Sequence, residues 1–396
     1  MRRTVLLLVA VVIVASGCAQ DETAGEDLEG PVTRTVQVDG TPDDYGAFAL
    51  AYFPNSVTVR PGDSVRFAQV WTGEPHSVTL GTLVDDTVGA LRRLGPDAEP
   101  PPELAEAYDE LPVMLPEGPG DANQAAVNPC YIEAGGEVPS EVTEPCDVRE
   151  APAFDGTQAY HSSGFIAPDE GVDITLSEDI EPGTYVYYCN LHELAMTGEI
   201  VVTDDEEIPS QAEVDAARDE QLEQHFAPLT AAYTDDVRAG ESDFGVLAGF
   251  GADGPPAGTV EFAPTELDVE AGASVTWTVF GPHTISFKVP AEAAALLAQA
   301  EDGTWHLNAE AGVPVGGPGQ PPPPEGEQEL PTEEGPPPEP VNVDGGSWDG
   351  EGFRSSGLFL SFPPNLFSYS LTFTEPGEYQ YVCIVHPEMT GVVNVT

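Results

Sequence analysis

The chain has 396 residues, with 69 acidic side chains against 12 basic ones and a formal net charge of -57. This length suffices for two or three domains, and so large a negative charge excludes nucleic acid as a partner because it repels phosphate. The acidic residues are spread along the whole sequence, which favours adaptation of the entire surface to a salty medium over a local patch for docking.

The N-terminus has the features of an export signal. Arg2 and Arg3 form a basic start, and Thr4–Val14 is an apolar run too short to span a bilayer comfortably. The small residues before Cys18 resemble a bacterial lipobox, which implies that residues 1–17 are a lipoprotein signal peptide. The resemblance also implies lipidation of Cys18 and anchoring to the extracytoplasmic face of the cell membrane. Plain secretion and an uncleaved anchor are the alternatives.

The following residues predict a flexible tether and then a β domain. Residues 18–32 are acidic and contain glycine, and residues 33–203 form the first predicted domain. Clusters of β-forming residues between Pro/Gly turns predict strands at Thr35–Val38, Ser56–Val59, Ser64–Phe67, Val172–Leu176 and Thr184–Tyr188. An insertion at about residues 84–158 carries two predicted short helices, Leu83–Leu94 and Pro102–Leu111.

Residues 204–243 form a predicted acidic linker. Within it, Gln211–Leu229 is rich in helix formers and has a partial apolar stripe, which predicts a helix packed against one domain. A charged spacer is the alternative.

Residues 244–396 repeat the first domain in the same order. Ser355-Ser356-Gly357 answers Ser162-Ser163-Gly164, and matching segments in one order indicate internal duplication. The repeat has its own insertion at about 290–350, in which Ala291–Ala300 predicts a helix. The remainder, Gly312–Pro340, is dense in Pro, Gly and Glu and cannot bury enough apolar surface to fold.

Two motifs carry the chemistry. Tyr187–Gly198 reads YYCNLHELAMTG and Tyr381–Gly391 reads YVCIVHPEMTG, and a Pro-His step lies far upstream of each. The candidate donors are His76, Cys189, His192 and Met196 in the first domain, and His283, Cys383, His386 and Met389 in the second. Two imidazoles, one thiolate and a weak axial thioether are the ligand set of a mononuclear blue-copper centre. Soft sulfur donors stabilise Cu(I) and imidazoles suit Cu(II), so the set serves both oxidation states.

These loops and the strand pattern resemble the cupredoxin family, in particular plastocyanin-like and amicyanin-like domains. The resemblance covers most of residues 33–203 and 257–396 apart from the insertions. It implies an all-β fold of two tandem cupredoxin-like Greek-key sandwiches or barrels, each with one type 1 copper ion. The spacing of Cys383, His386 and Met389 is like that of the amicyanin loop. Met196 comes one residue later in its own loop, which leaves Glu193 as a competing donor.

The five cysteines can then be assigned. Cys18 takes the lipid, and Cys189 and Cys383 are copper ligands, which leaves Cys130 and Cys146. In an exported protein this pair predicts a disulfide. Two free thiols are the alternative.

The sequence therefore predicts a membrane-anchored electron carrier that works between a redox-protein donor and a redox-protein acceptor. The edge of each loop histidine, His192 or His386, is the expected port for electrons, and Ser77 and Thr284 are expected to hydrogen-bond across to the cysteine loop. A multicopper oxidase or copper nitrite reductase needs further copper sites, and the His-x-His motifs of the oxidases are absent from this sequence. Copper storage or delivery without a redox role is the second candidate function.

Overall fold

A computed structural model describes residues 30–95, 98–112, 152–240, 245–294, 297–299, 305–307, 340–362 and 366–396. The predicted signal peptide, the lipidation site Cys18, the Cys130–Cys146 pair and most of Gly312–Pro340 lie outside these residues. Among the helices that the structure describes, none combines the length and apolar character needed to cross a membrane.

The first half of the chain forms a sandwich of two β-sheets. One sheet has the order β3-β1-β5-β8 and the other the order β4-β10-β9-β6-β7. The strands are β1 (Thr33–Val38), β2 (Ala47–Ala49), β3 (Tyr52–Phe53), β4 (Ser56–Val59), β5 (Ser64–Gln69), β6 (Ser77–Leu80), β7 (His161–Phe165), β8 (Gly171–Thr175), β9 (Gly183–Cys189) and β10 (Glu193–Val202).

Alternation of side chains produces the core of this first sandwich. Strands β1 and β5 run parallel with Val36 opposite Phe67, and every second residue of each strand is buried. These side chains meet Tyr187 and Ile200 of the facing sheet, so the apolar faces of both sheets are removed from water together.

The second half of the chain repeats this topology. Its sheets have the orders β13-β11-β15-β23-β20 and β14-β25-β24-β17-β21, which match the first sandwich strand for strand apart from one added edge strand. The strands are β11 (Val246–Ala248), β12 (Ala257–Thr259), β13 (Phe262–Ala263), β14 (Glu266–Val269), β15 (Ser274–Val279), β16 (Gly281–His283), β17 (Ser286–Phe287), β18 (Leu297–Gln299), β19 (Trp305–Leu307), β20 (Val341–Trp348), β21 (Arg354–Ser355), β22 (Phe359–Ser361), β23 (Phe367–Phe373), β24 (Gly377–Val382) and β25 (Thr390–Val395). The prediction of a β fold with two sandwiches is confirmed.

The second insertion differs from its prediction at both ends. The expected helix over Ala291–Ala300 is a 3-10 turn at Ala291–Ala293 followed by β18, which pairs with β19. At the other end β20 is part of the sandwich, since it runs parallel to β23 and Trp348 packs against Phe287. The two glycines before Ser347 interrupt the apolar alternation and coincide with a register shift, so the sequence pattern did not predict this strand.

The first insertion contains helices close to the predicted positions. These are α1 (Thr82–Asp86), α2 (Val88–Leu94) and α3 (Pro102–Asp109). Val84 and Val88 pack on Tyr188 of β9, the residue directly before Cys189. The insertion therefore covers one flank of the strand that carries the candidate thiolate.

The predicted linker helix is present as α4 (Gln211–Ala232) and is followed by α5 (Asp235–Arg238). A capping box begins α4, in which Ser210 and Glu213 satisfy each other's backbone N–H groups. The helix contacts both sandwiches rather than one, because Val214 enters the first core while Phe226 and Leu229 join a cluster shared by the two halves.

The two sandwiches are also joined directly by backbone pairing. Strand β2 of the first half pairs antiparallel with β12 of the second, with Phe48 opposite Gly258. Around this ladder Tyr45, Phe53 and Leu247 are buried in the same apolar cluster as the C-terminal part of α4. This interface fixes the ends of the two sandwiches that carry the sequence motifs.

Candidate metal centres

The first centre forms where two neighbouring strands of one sheet end together. His76 directly precedes β6, and Cys189 is the last residue of β9, the strand hydrogen-bonded to β6. His192 follows in the tight turn to β10. One donor atom from each of these three side chains lies within 4.8 Å of the other two.

The second centre repeats the arrangement in the second sandwich. His283 ends β16, Cys383 follows β24 directly, and His386 lies in the turn before β25. The Cys383 sulfur lies 3.7 Å from His283 Nδ1 and 3.6 Å from His386 Nδ1, and the two imidazole nitrogens are 3.1 Å apart. All three side chains are buried.

The histidines favour the thiolate form of both cysteines. Burial alone raises a thiol pKa, but the nearby histidines lower it more, so the pKa values of Cys189 and Cys383 lie well below the usual range. Burial lowers the pKa values of His192 and His386, but the thiolates and the carboxylate of Glu74 outweigh it and raise both pKa values to about 10. A metal ion that binds Nδ1 of His192 or His386 therefore displaces any proton held on that nitrogen.

Hydrogen bonds hold each cysteine loop against the upstream histidine strand. The Ser77 backbone N–H donates to Cys189 Sγ at 3.4 Å, and the Thr284 N–H donates to Cys383 Sγ at 3.3 Å. The Ser77 hydroxyl accepts from the Asn190 N–H at 3.0 Å, and Thr284 Oγ1 accepts from the Ile384 N–H at 2.8 Å. The predicted bonds from Ser77 and Thr284 to the cysteine loops are confirmed.

The two upstream histidines differ in the partner of their other ring nitrogen. His76 Nε2 lies 2.9 Å from Asp39 Oδ2, and both side chains are fully buried. Burial lowers the pKa of His76, but the Asp39 carboxylate and the Cys189 sulfur together more than offset this and the net shift is upward. In the second sandwich Gly249 takes the place of Asp39, and His283 Nε2 has no hydrogen-bond partner among the described residues.

Asp39 has other bonds that fix its side chain. Its Oδ1 accepts from the N–H groups of Gly40 and Ala49, and its Oδ2 also accepts from the Thr72 hydroxyl at 2.6 Å. The residue has a φ of 64°, a left-handed conformation that Asp tolerates better than most residues. These bonds hold the carboxylate in one orientation beside His76.

A single carboxylate lies between the two centres. Glu74 Oε1 is 3.1 Å from His386 Nε2, and Glu74 Oε2 is 3.6 Å from His192 Nε2. The Glu74 side chain is only 5% exposed. Burial opposes its ionisation, but bonds to His192 and His386 dominate and hold the pKa of Glu74 far below its usual range.

The sequence had predicted that the edge of each loop histidine is exposed as a port for electrons. The structure differs from this prediction. The His386 side chain is 1% exposed and that of His192 11%. Phe48 of the first sandwich stacks on the His386 ring with an interplanar angle of 3°, and a Cβ at Gly73 would overlap the same ring. The edge of His386 is closed by the first sandwich.

Asp39 and Glu74 were missed by the sequence analysis. For Glu74 the sequence does contain a signal. Val70 and Phe280 occupy equivalent positions in the two sandwiches, but the stretch from Val70 to His76 is three residues longer than the stretch from Phe280 to His283, and Glu74 lies in it. Asp39 had none, since it lies at the end of an ordinary strand and meets His76 only through the fold.

The methionines occupy the cores beside their cysteines. Met196 is in the same buried cluster as Cys189, and Met389 is in the same cluster as Cys383. The Met389 backbone also bonds both to Cys383 and to His386, which closes the second loop. The competing donor Glu193 accepts a hydrogen bond from the Tyr108 hydroxyl at 3.0 Å and is not among the described residues that converge at the first centre.

The residues present fit a bound copper ion. Each centre offers one sulfur with a depressed pKa and two imidazole nitrogens, the mixed soft and borderline donors that suit both copper oxidation states. At the first centre, His76 Nδ1 is buried and has no hydrogen-bond partner in the described part of the chain. A buried nitrogen of this kind beside a thiolate is what a metal ligand requires.

Comparisons with solved structures return cupredoxins at low identity. An oxidised mutant of amicyanin is 13% identical, with 43% of this chain and 82% of the amicyanin chain covered at a TM-score of 0.21. Auracyanin from Roseiflexus castenholzii is 19% identical (44% and 98%, TM-score 0.21), and a purple cupredoxin from Nitrosopumilus maritimus is 17% identical (35% and 83%, TM-score 0.16). No protein-family model and no curated protein sequence matches the chain.

Proposed function

We propose that the chain is a cupredoxin-type electron-transfer protein with two mononuclear type 1 copper centres, anchored on the extracytoplasmic face of the membrane. The observation that carries the proposal is the convergence of His, Cys and His at the same end of two sandwiches with the same strand order. The donors of the first centre are His76, Cys189 and His192, with Met196 as axial ligand. Those of the second are His283, Cys383 and His386, with Met389.

The protein's contribution is to hold the donors in place before and after each electron moves. A bound copper ion supplies the one-electron couple. Cys189 and Cys383 are fully buried, and each sulfur accepts a hydrogen bond from a backbone N–H, that of Ser77 or Thr284. Rearrangement of such donors is costly in a packed core, so the ligand geometry changes little between oxidation states.

Burial separates this function from copper delivery, the second candidate. A delivery protein must release its ion to a partner, which requires ligands that the partner can reach. Here His76, Cys189, His283 and Cys383 are all fully buried. Electron transfer needs no such access, because only the electron leaves the site.

The test of copper binding compares the full chain with Cys189→Ser and Cys383→Ser. We expect two copper ions per wild-type chain and a blue absorption band from each thiolate. Each substitution should remove one ion and one band, so that each variant is the control for the other. Reversible reduction of both bands supports electron transfer. A wild-type chain that binds copper without a blue band would overturn the proposal.

The membrane location is a proposal from the predicted signal peptide and Cys18. We expect the full chain in the membrane fraction of its host, with Cys18→Ala released from that fraction. A Cys130→Ala variant is the matched control because its thiol is assigned to the predicted disulfide with Cys146. Equal membrane retention of Cys18→Ala and wild type would contradict the lipid anchor. The donor and acceptor are proposed to be other redox proteins.

A further inference from the structure

We propose that Glu74 is a shared positioning residue that joins the two metal centres into one coupled unit. The inference rests on the proposed function, because it assumes that both centres hold copper. It assigns the edges of His192 and His386 to contact within the chain instead of contact with a partner protein.

The geometry places Glu74 on both histidines at once. Each imidazole turns Nδ1 toward its own cysteine sulfur, at 3.6 Å in both centres, and turns Nε2 toward a different oxygen of the same carboxylate. A carboxylate that accepts from the second ring nitrogen of a ligand histidine fixes the orientation of the ring and raises its basicity. Here Glu74 Oε1 is at hydrogen-bond distance from His386 Nε2, and Glu74 Oε2 is at ion-pair distance from His192 Nε2, so one carboxylate contacts a candidate ligand of each centre.

The charge of Glu74 requires both partners. An ionised carboxylate that is 5% exposed is costly to bury unless it is paired and hydrogen-bonded. Its described ion-pair partners are His192 from the first sandwich and His386 from the second. Loss of either contact would leave the buried charge poorly compensated, so the two loops are energetically linked through this residue.

The loop that carries Glu74 is shaped for this contact. Gly73 has a φ of 104°, which favours glycine, and any Cβ there would overlap the His386 ring. Phe48 covers the same ring from the β2–β12 ladder. Three separate residues of the first sandwich thus converge on one ligand of the second.

Electron exchange inside the chain follows from this arrangement. The His192 and His386 rings both contact Glu74, so described side chains connect the two centres. The exchange is balanced without any co-reactant, since one centre loses the electron that the other gains. A partner protein therefore needs access to only one of the two centres.

The experiment compares wild type with Glu74→Gln and Glu74→Ala in the full chain. The matched control is Glu261→Gln, because Glu261 also links the two halves, through the Gly46 N–H and Arg238, but is not among the described contacts of the candidate ligands. The readouts are copper affinity at each centre, the copper–copper distance distribution by pulsed electron paramagnetic resonance, and electron exchange after flash reduction.

We expect wild type to give one narrow distance and a first-order exchange phase independent of protein concentration. Glu74→Ala should weaken copper affinity at both centres by about 10–100-fold, as for other residues that orient metal ligands. It should also broaden the distance distribution and abolish the concentration-independent phase. Glu74→Gln, which keeps the shape but cannot accept from both histidines through ionised oxygens, should show the same affinity loss, and Glu261→Gln should not.

A readout without metal separates a failure of this inference from a failure of the proposed function. In the copper-free chain, diethyl pyrocarbonate should modify His386 slowly in wild type and rapidly in Glu74→Ala. Two blue centres that respond independently to Glu74→Ala, or an effect at one centre only, would overturn the coupling while leaving the electron carrier intact. Absence of copper from wild type would overturn both proposals.

Discussion

The two centres share their donors but differ in what lies behind the upstream histidine. Behind His76 is the Asp39 carboxylate, and behind His283 is Gly249 with no side chain at all. Both positions have a positive φ, 64° for Asp39 and 75° for Gly249, so the backbone has a similar φ at this point in both sandwiches. A duplicated ligand set therefore does not make two equivalent sites, because residues outside the motif set the charge around each one.

This difference predicts the order of the two reduction potentials. A carboxylate bonded to the second nitrogen of a ligand imidazole makes the ring a stronger donor, which favours the more highly charged Cu(II). The Ser77 hydroxyl, 3.9 Å from the Cys189 sulfur, acts in the opposite direction, but it is a weak neutral contact beside a buried charge. We therefore expect the first centre to have the lower potential of the two.

The substitution Asp39→Asn should remove most of this difference between the two centres. The amide keeps an Oδ1 acceptor for Gly40 and Ala49 but cannot accept from His76 or Thr72. Loss of a buried charged partner should destabilise the first sandwich by about 3–5 kcal/mol. Where the variant is folded and copper-loaded, the potential of the first centre should rise toward that of the second.

The measurement needs a separate signal from each sandwich, which the buried methionines Met196 and Met389 provide. Peroxide oxidation of each methionine at increasing urea, followed by mass spectrometry, reports the unfolding of its own half. The control is Asp63→Asn, a buried carboxylate of the first sandwich bonded to Val32 and Arg60 away from the centre. A potential that shifts equally in both variants would contradict a specific role for Asp39.

Sequence patterns could predict which His and Cys side chains converge at each candidate centre, but not the residues around them. Cys189 and His192 lie on one short loop, and their spacing follows from local chain geometry, as it does for Cys383 and His386. Asp39 reaches His76 only through the parallel pairing of β1 with β5, and Glu74 reaches His386 only through the packing of two sandwiches. Such contacts depend on tertiary structure, which a single sequence does not display.

The same limit applies to the strands and helices. Strands with regular alternation, such as Ser64–Gln69, were predictable from period-two burial. Strand β20 was not, because its sheet position depends on pairing with β23 across a glycine irregularity. The helix predicted at Ala291–Ala300 was wrong because hairpin pairing of Leu297–Gln299 overrode a favourable local composition.

A smaller difference between the halves lies away from the metal centres, at His161. This histidine is 2% exposed in β7 and packs edge-on against Phe154, and the matching position of the second half is Arg354, a partly exposed residue. Burial lowers the pKa of His161 to about 4, with Asp155 offsetting only part of the effect. A neutral buried histidine makes the first sandwich sensitive to acid in a way that the second does not share.

The sign of this sensitivity follows from the direction of the shift. Because the folded pKa is below the ordinary value of about 6.5, the unfolded chain takes up a proton that the folded chain refuses. The stabilisation is fully present above pH of about 6.5 and is lost as the pH falls toward about 4, by about 3 kcal/mol in total.

In His161→Gln this part of the pH dependence should disappear. Urea-dependent oxidation of Met196 across that pH range measures it, with Met389 in the same sample as the internal reference. Carboxylates titrate in the same pH range in wild type and variant, so the informative quantity is the difference between their pH profiles. Parallel profiles would contradict the assignment of this acid sensitivity to His161.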